Sequence, residues 1–140
     1  MHALSRIHRS LHPDGVLLDV HPEPENARVE VWEQGRIRPL GGLDGEQDSR
    51  EIRQARSRLE EAERRGWYVT ERQRKFELLV HHRSVDEWLE RRAREGATSI
   101  IPEGMLETAR HLLARGADEL VIRERVWAAV LRRGADLPSA

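Results

Sequence analysis

Asp19, His21 and Glu23 alternate along one short stretch, and a second stretch ends in the pair His81-His82. Imidazole and carboxylate are the side chains that bind first-row metals and move protons near neutral pH. If the two stretches are neighbouring strands, Asp19 and His21 point to one side at the end of the first. Two imidazoles with a carboxylate there would make a facial metal site. The same residues read otherwise as partly solvated polar groups at the carboxyl edge of a sheet. A His-His pair at a strand end directs its rings to opposite faces, which favours the second reading. No metal is therefore expected. Asp19, His21, Glu23, His81 and His82 stand as candidates for lining a substrate pocket, and no residue is assigned a catalytic role.

Other chemistry finds less support. The chain has no cysteine, which removes disulfides, thiolate nucleophiles and cysteine-ligated metals. Gly41-Gly42-Leu43-Asp44-Gly45 is rich in glycine, but no strand, loop and helix with a lysine follow in the order a phosphate cradle needs. There are no paired catalytic carboxylates in motif form and no serine nucleophile elbow. Arg50, Arg53, Arg56 and Arg64 are interleaved with Glu51, Glu60, Glu61 and Glu63, which reads as a solvated helix face supported by ion pairs. His8, His12 and His111 read as surface or cap residues. Trp88 and Trp127 fall where core or interface packing would use them, and Trp32 and Trp67 flank turns, where they serve packing or subunit contact better than ligand stacking.

The elements that must position these residues are legible in outline. Leu4, Ile7 and Leu11 recur at helical spacing, and Pro13 and Gly15 end that helix. Val16 to Val20 is an apolar run broken only by Asp19, which suits a strand covered on both faces, as in a parallel sheet. Prolines make residues 21–26 a loop. Arg28 to Glu33 and Arg36 to Leu40 alternate around Gln34-Gly35 and predict a hairpin, with Pro39 placing the second arm at an edge. Three helices follow. Asp48 with Glu51 forms a capping box before a stripe of Ile52, Ala55, Leu59 and Ala62, stopped at Gly66. Ser84 with Glu87 forms a second box before Trp88, Leu89 and Ala93, ended by Gly96. Pro102 takes a first-turn position before Met105, Leu106, Ala109, Leu112 and Leu113, closed by Gly116. Lys75 to His82 and Glu119 to Leu131 alternate as strands, the latter with Leu120, Ile122, Val126, Ala128 and Val130 on one face. Residues 1–133 read as one domain, and residues 134–140 as a disordered tail.

The chain of 140 residues is long enough to bury a core, with 38% hydrophobic and 35% charged residues. Its net charge of −1 supplies no field to recruit nucleic acid or an anionic membrane. Lys75 is the only lysine, a bias that genome composition accounts for. No apolar run approaches the roughly 18 residues of a membrane span, and the start lacks a signal-peptide pattern, so a soluble cytoplasmic protein is expected.

The segment Leu4 to Asp19 fits the form Leu-x-x-x-His-Arg-x-Leu-x-Pro-x-Gly-x-Leu-Leu-Asp. It resembles the helix, turn and fifth strand of a class I S-adenosylmethionine-dependent methyltransferase. Phe76 to Leu89 resembles that family's sixth strand running into a helix. The resemblance implies an α/β fold, a partial Rossmann-like methyltransferase sheet with an added β-hairpin and three to four helices. Val16 to Val20 would be the fifth strand, and Lys75 to His82 and Glu119 to Leu131 the two closing antiparallel strands.

In that family the opening block lies in the second half of the domain, whereas here it starts at residue 3. The family's Gly-x-Gly-x-Gly loop and the acidic residue ending the second strand are not in these 140 residues. Glycines there let backbone amides approach the cofactor, and the carboxylate accepts from ribose hydroxyls. The expectation is a methyltransferase-like fragment or truncated homologue that binds no S-adenosylmethionine by itself and acts through a homodimer or a complementing chain. The alternative is a methyltransferase whose active site is completed by another chain or by preceding sequence, with Asp19, His21 and Glu23 lining the acceptor pocket. A third is a small-molecule binding module with a pocket between the hairpin and the helices.

Overall fold

A computed structural model describes residues 2–134. Helix α1 (His2–Ser10) leads into a turn in which the Gly15 N–H donates to the His12 carbonyl at 2.7 Å. A Cβ on Gly15 would lie 2.8 Å from that oxygen, so this turn admits only glycine without a shift. Strand β1 (Val16–Pro22) follows, then β2 (Arg28–Glu33) and β3 (Arg36–Gly42). Gln34 and Gly35 take φ of 48° and 76° and close the hairpin at the expected place. Then come α2 (Glu46–Arg64), β4 (Tyr68–His82), α3 (Val85–Glu95), α4 (Met105–Ala114) and β5 (Glu119–Arg133).

All five strands form one antiparallel α/β sheet organised on β5. One side of β5 pairs with β4 from Leu120 to Arg133. The other side pairs first with β2, Val29 opposite Ile122 and Val31 opposite Leu120, and further along with β1, Leu18 opposite Val130 and His21 opposite Trp127. β3 extends the sheet beyond β2, with a bulge between Val29 and Glu30.

Because β5 alternates, its 15 residues serve two cores on opposite faces. At one end Leu120 and Ile122 join Val29 and Val31 beneath α3 and α4, which contribute Val85, Trp88, Met105 and Ala109. At the other end Trp127, Ala129 and Leu131 lie on the opposite face, packed by Leu59 and Ala62 of α2 and by Leu4 of α1.

Several local expectations change. β1 is antiparallel and alternates between half-buried and exposed, where its apolar run suggests cover on both faces; α1 and α2 cover only the side of Leu17, Asp19 and His21. β4 starts at Tyr68, seven residues before the sequence signal, because charged residues 71–75 can occupy an edge strand that β5 pairs along its length. Gly45 caps α2 without a side-chain bond, and Asp48 instead accepts from the Thr98 hydroxyl. The Ser84 box forms: Ser84 Oγ accepts from the Glu87 N–H at 3.1 Å, while Glu87 reaches back to the Arg83 N–H. Pro102 precedes α4, whose N-cap is Gly104 at φ 79°. Leu4 and His8 of α1 and Leu11 just after it, spaced by four and three, face inward with His8 fully buried, and Ile7 is exposed. His8, expected at the surface, is buried edge-on to Tyr68. In α2, Arg56 turns inward instead of Ala55. Of the tail, Gly134 is held by its N–H to the Trp67 carbonyl at 2.7 Å, and residues 135–140 lie outside the described residues.

Candidate functional site

The alternation of β1 brings Asp19 and His21 to one face, as their spacing requires. His21 Nε2 lies 3.6 Å from Asp19 Oδ2, and its Nδ1 lies 2.7 Å from the Pro22 carbonyl. A carbonyl only accepts, so Nδ1 carries a proton and donates to it. The ring packs on Trp127 at 5.1 Å. Asp19 and His21 line a cavity of about 290 Å³ whose other walls are Leu4, Leu17, Arg56 and Leu59, a largely apolar hollow under α1 and α2.

Glu23 is buried at the end of the same strand and is fully engaged. Lys75 donates to its Oε2 at 2.9 Å and Arg56 to its Oε1 at 3.5 Å. The Lys75 hydrogen bond holds its carboxyl below the usual range against the opposing effect of burial. Glu23 thus works as a counter-ion joining its loop, α2 and β4, and Arg56 also lies over the Trp127 ring at 5.4 Å. This inward role replaces the solvated one read from the charge pattern.

The histidine pair separates, as strand geometry requires. His81 is exposed on the face of Asp19 but six residues further along β4 than Lys75, about 20 Å. It meets Glu119 at 3.0 Å and the edge of Trp32. His82 is 4% exposed on the other face. The five candidates therefore occupy three places: Asp19 and His21 share one cavity, Glu23 and His82 line another hollow, and His81 stands apart from both. Among the described residues no group of three or more His, Asp or Glu side chains is arranged to hold a metal ion.

His82 belongs to a different hollow, a cleft of about 270 Å³ between α3, the first turns of α2 and the sheet. In register along its floor lie Glu124 opposite Leu78, Ile122 opposite Val80, and Leu120 opposite His82. Trp88, Arg91 and Glu95 of α3 form the wall. Burial, with the Glu95 carboxylate nearby, pushes the Glu124 carboxyl up, and burial pushes His82 down. Glu124 had a sequence signal that hydrophobic patterning passes over: it interrupts the apolar face Leu120, Ile122, Val126, Ala128, Val130.

The glycines near this cleft form no cofactor cradle. Gly41 and Gly42 pair with β2 at an edge, and a Cβ on Gly42 would meet only ordinary contacts at 3.7 Å. Gly45 donates its N–H to Asn26.

The remaining surface feature is a contrast between the two sheet faces that no helix covers. Near β2 the bare face is a polar network: Arg123 donates to Glu30 at 2.8 Å and to Glu77 at 2.6 Å, and Trp32 Nε1 donates to Glu30 at 3.1 Å. Near β1 the bare face carries Val16, Leu18 and Val20 at 48%, 66% and 61% exposure, with Val69 and Phe76 of β4 also exposed. Arg72, Arg74 and Arg132 flank it by register. No described helix is long and apolar enough to cross a membrane. Compared with known proteins, the chain matches no family model, no curated protein and no solved structure.

Proposed function

We propose that this chain is a methyltransferase-like half fold that acts by association, with a second copy of itself covering the apolar face of β1. The single observation that carries the reading is that bare face, with Leu18 at its centre, set beside the polar face that finishes the other end of the same sheet. Contiguous exposed apolar surface on a soluble domain marks an interaction site. The strand edges point the same way. Edge strand β3 carries Arg36, Arg38 and Pro39, and β4 carries Arg72, Arg74, Lys75 and Glu77, all devices that discourage pairing. β1 has one charge, Asp19, turned toward α2, and its proline is its last residue. A self-complementary patch used twice about a two-fold axis is the commonest way to satisfy such a surface.

Placing β5 between β1 and β4, antiparallel to both, is consistent with the resemblance, in which the two long strands close the sheet beside the fifth strand. In the family of that resemblance the cofactor-binding strands lie beside the outer edge of the strand that β1 resembles. That free edge favours, as a second reading, a complementing chain that brings its own S-adenosylmethionine site.

Light scattering on the purified chain tests the first reading. A dimer is expected, and Leu18→Lys, which sets a charge at the centre of the face, should yield a folded monomer with a dissociation constant raised by at least about a hundredfold. A monomeric wild type at tens of micromolar would overturn self-association. Titration with S-adenosylmethionine in the same sample should show no binding, and micromolar binding would favour a site completed between chains.

A further inference from the structure

The cleft under α3 holds two ionisable side chains without a partner, and association through β1 uses neither. His82 is 4% exposed, lines the cleft, and makes no hydrogen bond or ion pair with the described residues. Glu124 is half-buried in the same cleft and likewise makes none among them. Arg91 offsets its charge in part, but no surrounding cation pairs with it. Arg91 is held by Glu95 at 2.8 Å, Arg92 donates to Ser99, and Arg125 is held by Glu25 at 3.0 Å. Of the five carboxylates in the lining, Glu23, Glu25 and Glu95 sit in ion pairs and Asp48 accepts from Thr98, which leaves Glu124 as the one with neither an ion pair nor a hydrogen bond among the described residues.

Register gives the cleft a pattern of polar, apolar, polar. Glu124 and His82 face the same side of the sheet with one apolar rung, Ile122 and Val80, between their rungs. Four residues of strand separate them, about 13 Å between backbones. Trp88 and Ile122 belong to one apolar cluster, and Val80 packs against it. One ammonium group is too small to touch both ends. An elongated molecule with a cationic head, an apolar middle and a hydrogen-bond donor at its far end matches the spacing.

We infer that this cleft binds a small aralkylamine-type ligand, its ammonium group on the Glu124 carboxylate, its apolar body against Trp88 and Ile122, and a terminal hydroxyl donating to His82. A half-buried carboxylate without a counter-ion is unfavourable, and a primary ammonium supplies both charge and donors. Burial keeps the His82 ring neutral, so it retains a lone pair to accept the hydroxyl proton. A volume of about 270 Å³ suits a fragment-sized molecule. A carboxylate ligand of the same shape would face Glu124 and be repelled.

Calorimetry on the whole chain with tyramine, phenethylamine and 4-hydroxyphenylacetate tests this. Saturable tyramine binding is expected, at least about tenfold tighter than that of 4-hydroxyphenylacetate and measurably tighter than that of phenethylamine. Glu124→Gln, which removes the charge and keeps the shape, should weaken tyramine about tenfold or more while the thermal midpoint holds or rises. His82→Phe should bring tyramine down to the level of phenethylamine. Equal binding of the amine and the carboxylate, no saturation with tyramine, or an unchanged affinity in Glu124→Gln would overturn the inference. The comparison of three ligands on the unaltered protein decides even if a variant fails to fold. The cleft adjoins the β1 face on the same side of the sheet, with Phe76 one rung from Glu124, whereas Leu18 lies opposite Val130, six residues along β5. Oligomeric state and tyramine affinity are therefore measured separately on wild type and Leu18→Lys, and the failure of either leaves the other reading standing.

Discussion

Glu30→Ala is expected to destabilise the fold by about 3 kcal/mol, although no apolar contact is lost. Glu30 is 6% exposed and accepts from Arg123 at 2.8 and 3.1 Å and from the Trp32 indole at 3.1 Å. These residues face the helix-free side of the sheet, so the network alone shields the β2–β5 pairing there. Removing the carboxylate strands a guanidinium that is 16% exposed, and Glu77 is its remaining partner. Breaking a buried pair on one side costs more than the pair contributes net, because the other charge is left desolvated. Arg123→Met with Glu30→Met should therefore recover much of the loss, a difference that a double-mutant cycle in denaturant reads directly. An alanine variant with a wild-type denaturant midpoint would mean that the network is solvated.

The pH dependence has a definite sign. The Arg123 hydrogen bonds hold the Glu30 carboxyl below its ordinary 4.5, and the Lys75 hydrogen bond does the same for Glu23. Their stabilisation is fully present above the unfolded value near 4.5 and is lost as pH falls through the depressed native values. His82, held below its ordinary 6.5 by burial, loses stability earlier, as pH falls below about 6.5 toward its native value. Glu124, pushed up by burial, acts in the opposite sense and weakens the fold as pH rises through its native value. Thermal midpoints of wild type and Glu30→Gln should converge on acidification below pH 4.5.

Leu120→Ala and Leu131→Ala are expected to cost about 2–5 kcal/mol each, and their costs are expected to add. Both side chains are wholly buried and sit on the same strand. Leu120 packs among Val29, Val31, Trp88 and Met105, whereas Leu131 packs among Leu59, Tyr68 and Trp127 on the opposite face. Eleven residues of strand place them roughly 36 Å apart, with no shared neighbours. The double variant would then lose an amount comparable to the whole stability of an ordinary domain, about 5–15 kcal/mol, and should be largely unfolded at 25 °C. Each single variant should lower the denaturant midpoint without changing the slope, because β5 couples the two cores into one cooperative unit. A single variant with a biphasic transition would mean that the two cores unfold separately.

Local signals in the chain carry information about local elements. Gln34-Gly35 determined a hairpin because two successive positive-φ positions match the twist of paired strands. Ser84 determined the start of α3 because its hydroxyl caps the Glu87 amide three residues on, a bond closed within one turn. Gly96, at φ 65°, determined its end. The alternation of Asp19 with His21, and the opposition of His81 to His82, followed from strand periodicity alone.

Tertiary structure decided what periodicity leaves ambiguous. An apolar run such as Val16 to Val20 is compatible with burial on two faces or one, and only the helix placement over Leu17 exposed Leu18 and Val20. Residues 71–75 contain no apolar side chain, and the partner strand β5 made them part of a strand. His8 and Arg56 turned inward because the helix faces rotated to meet Tyr68, Glu23 and Trp127. Glu124 became a candidate binding group only when α3 roofed it together with His82. Caps and turns are short-range, satisfied within a few residues, so the sequence by itself determined them. Which face is covered, and which charges meet, depends on contacts between residues some 50 to 100 positions apart, as between Glu23 and Lys75 or Glu30 and Arg123, and only the folded sheet decided those.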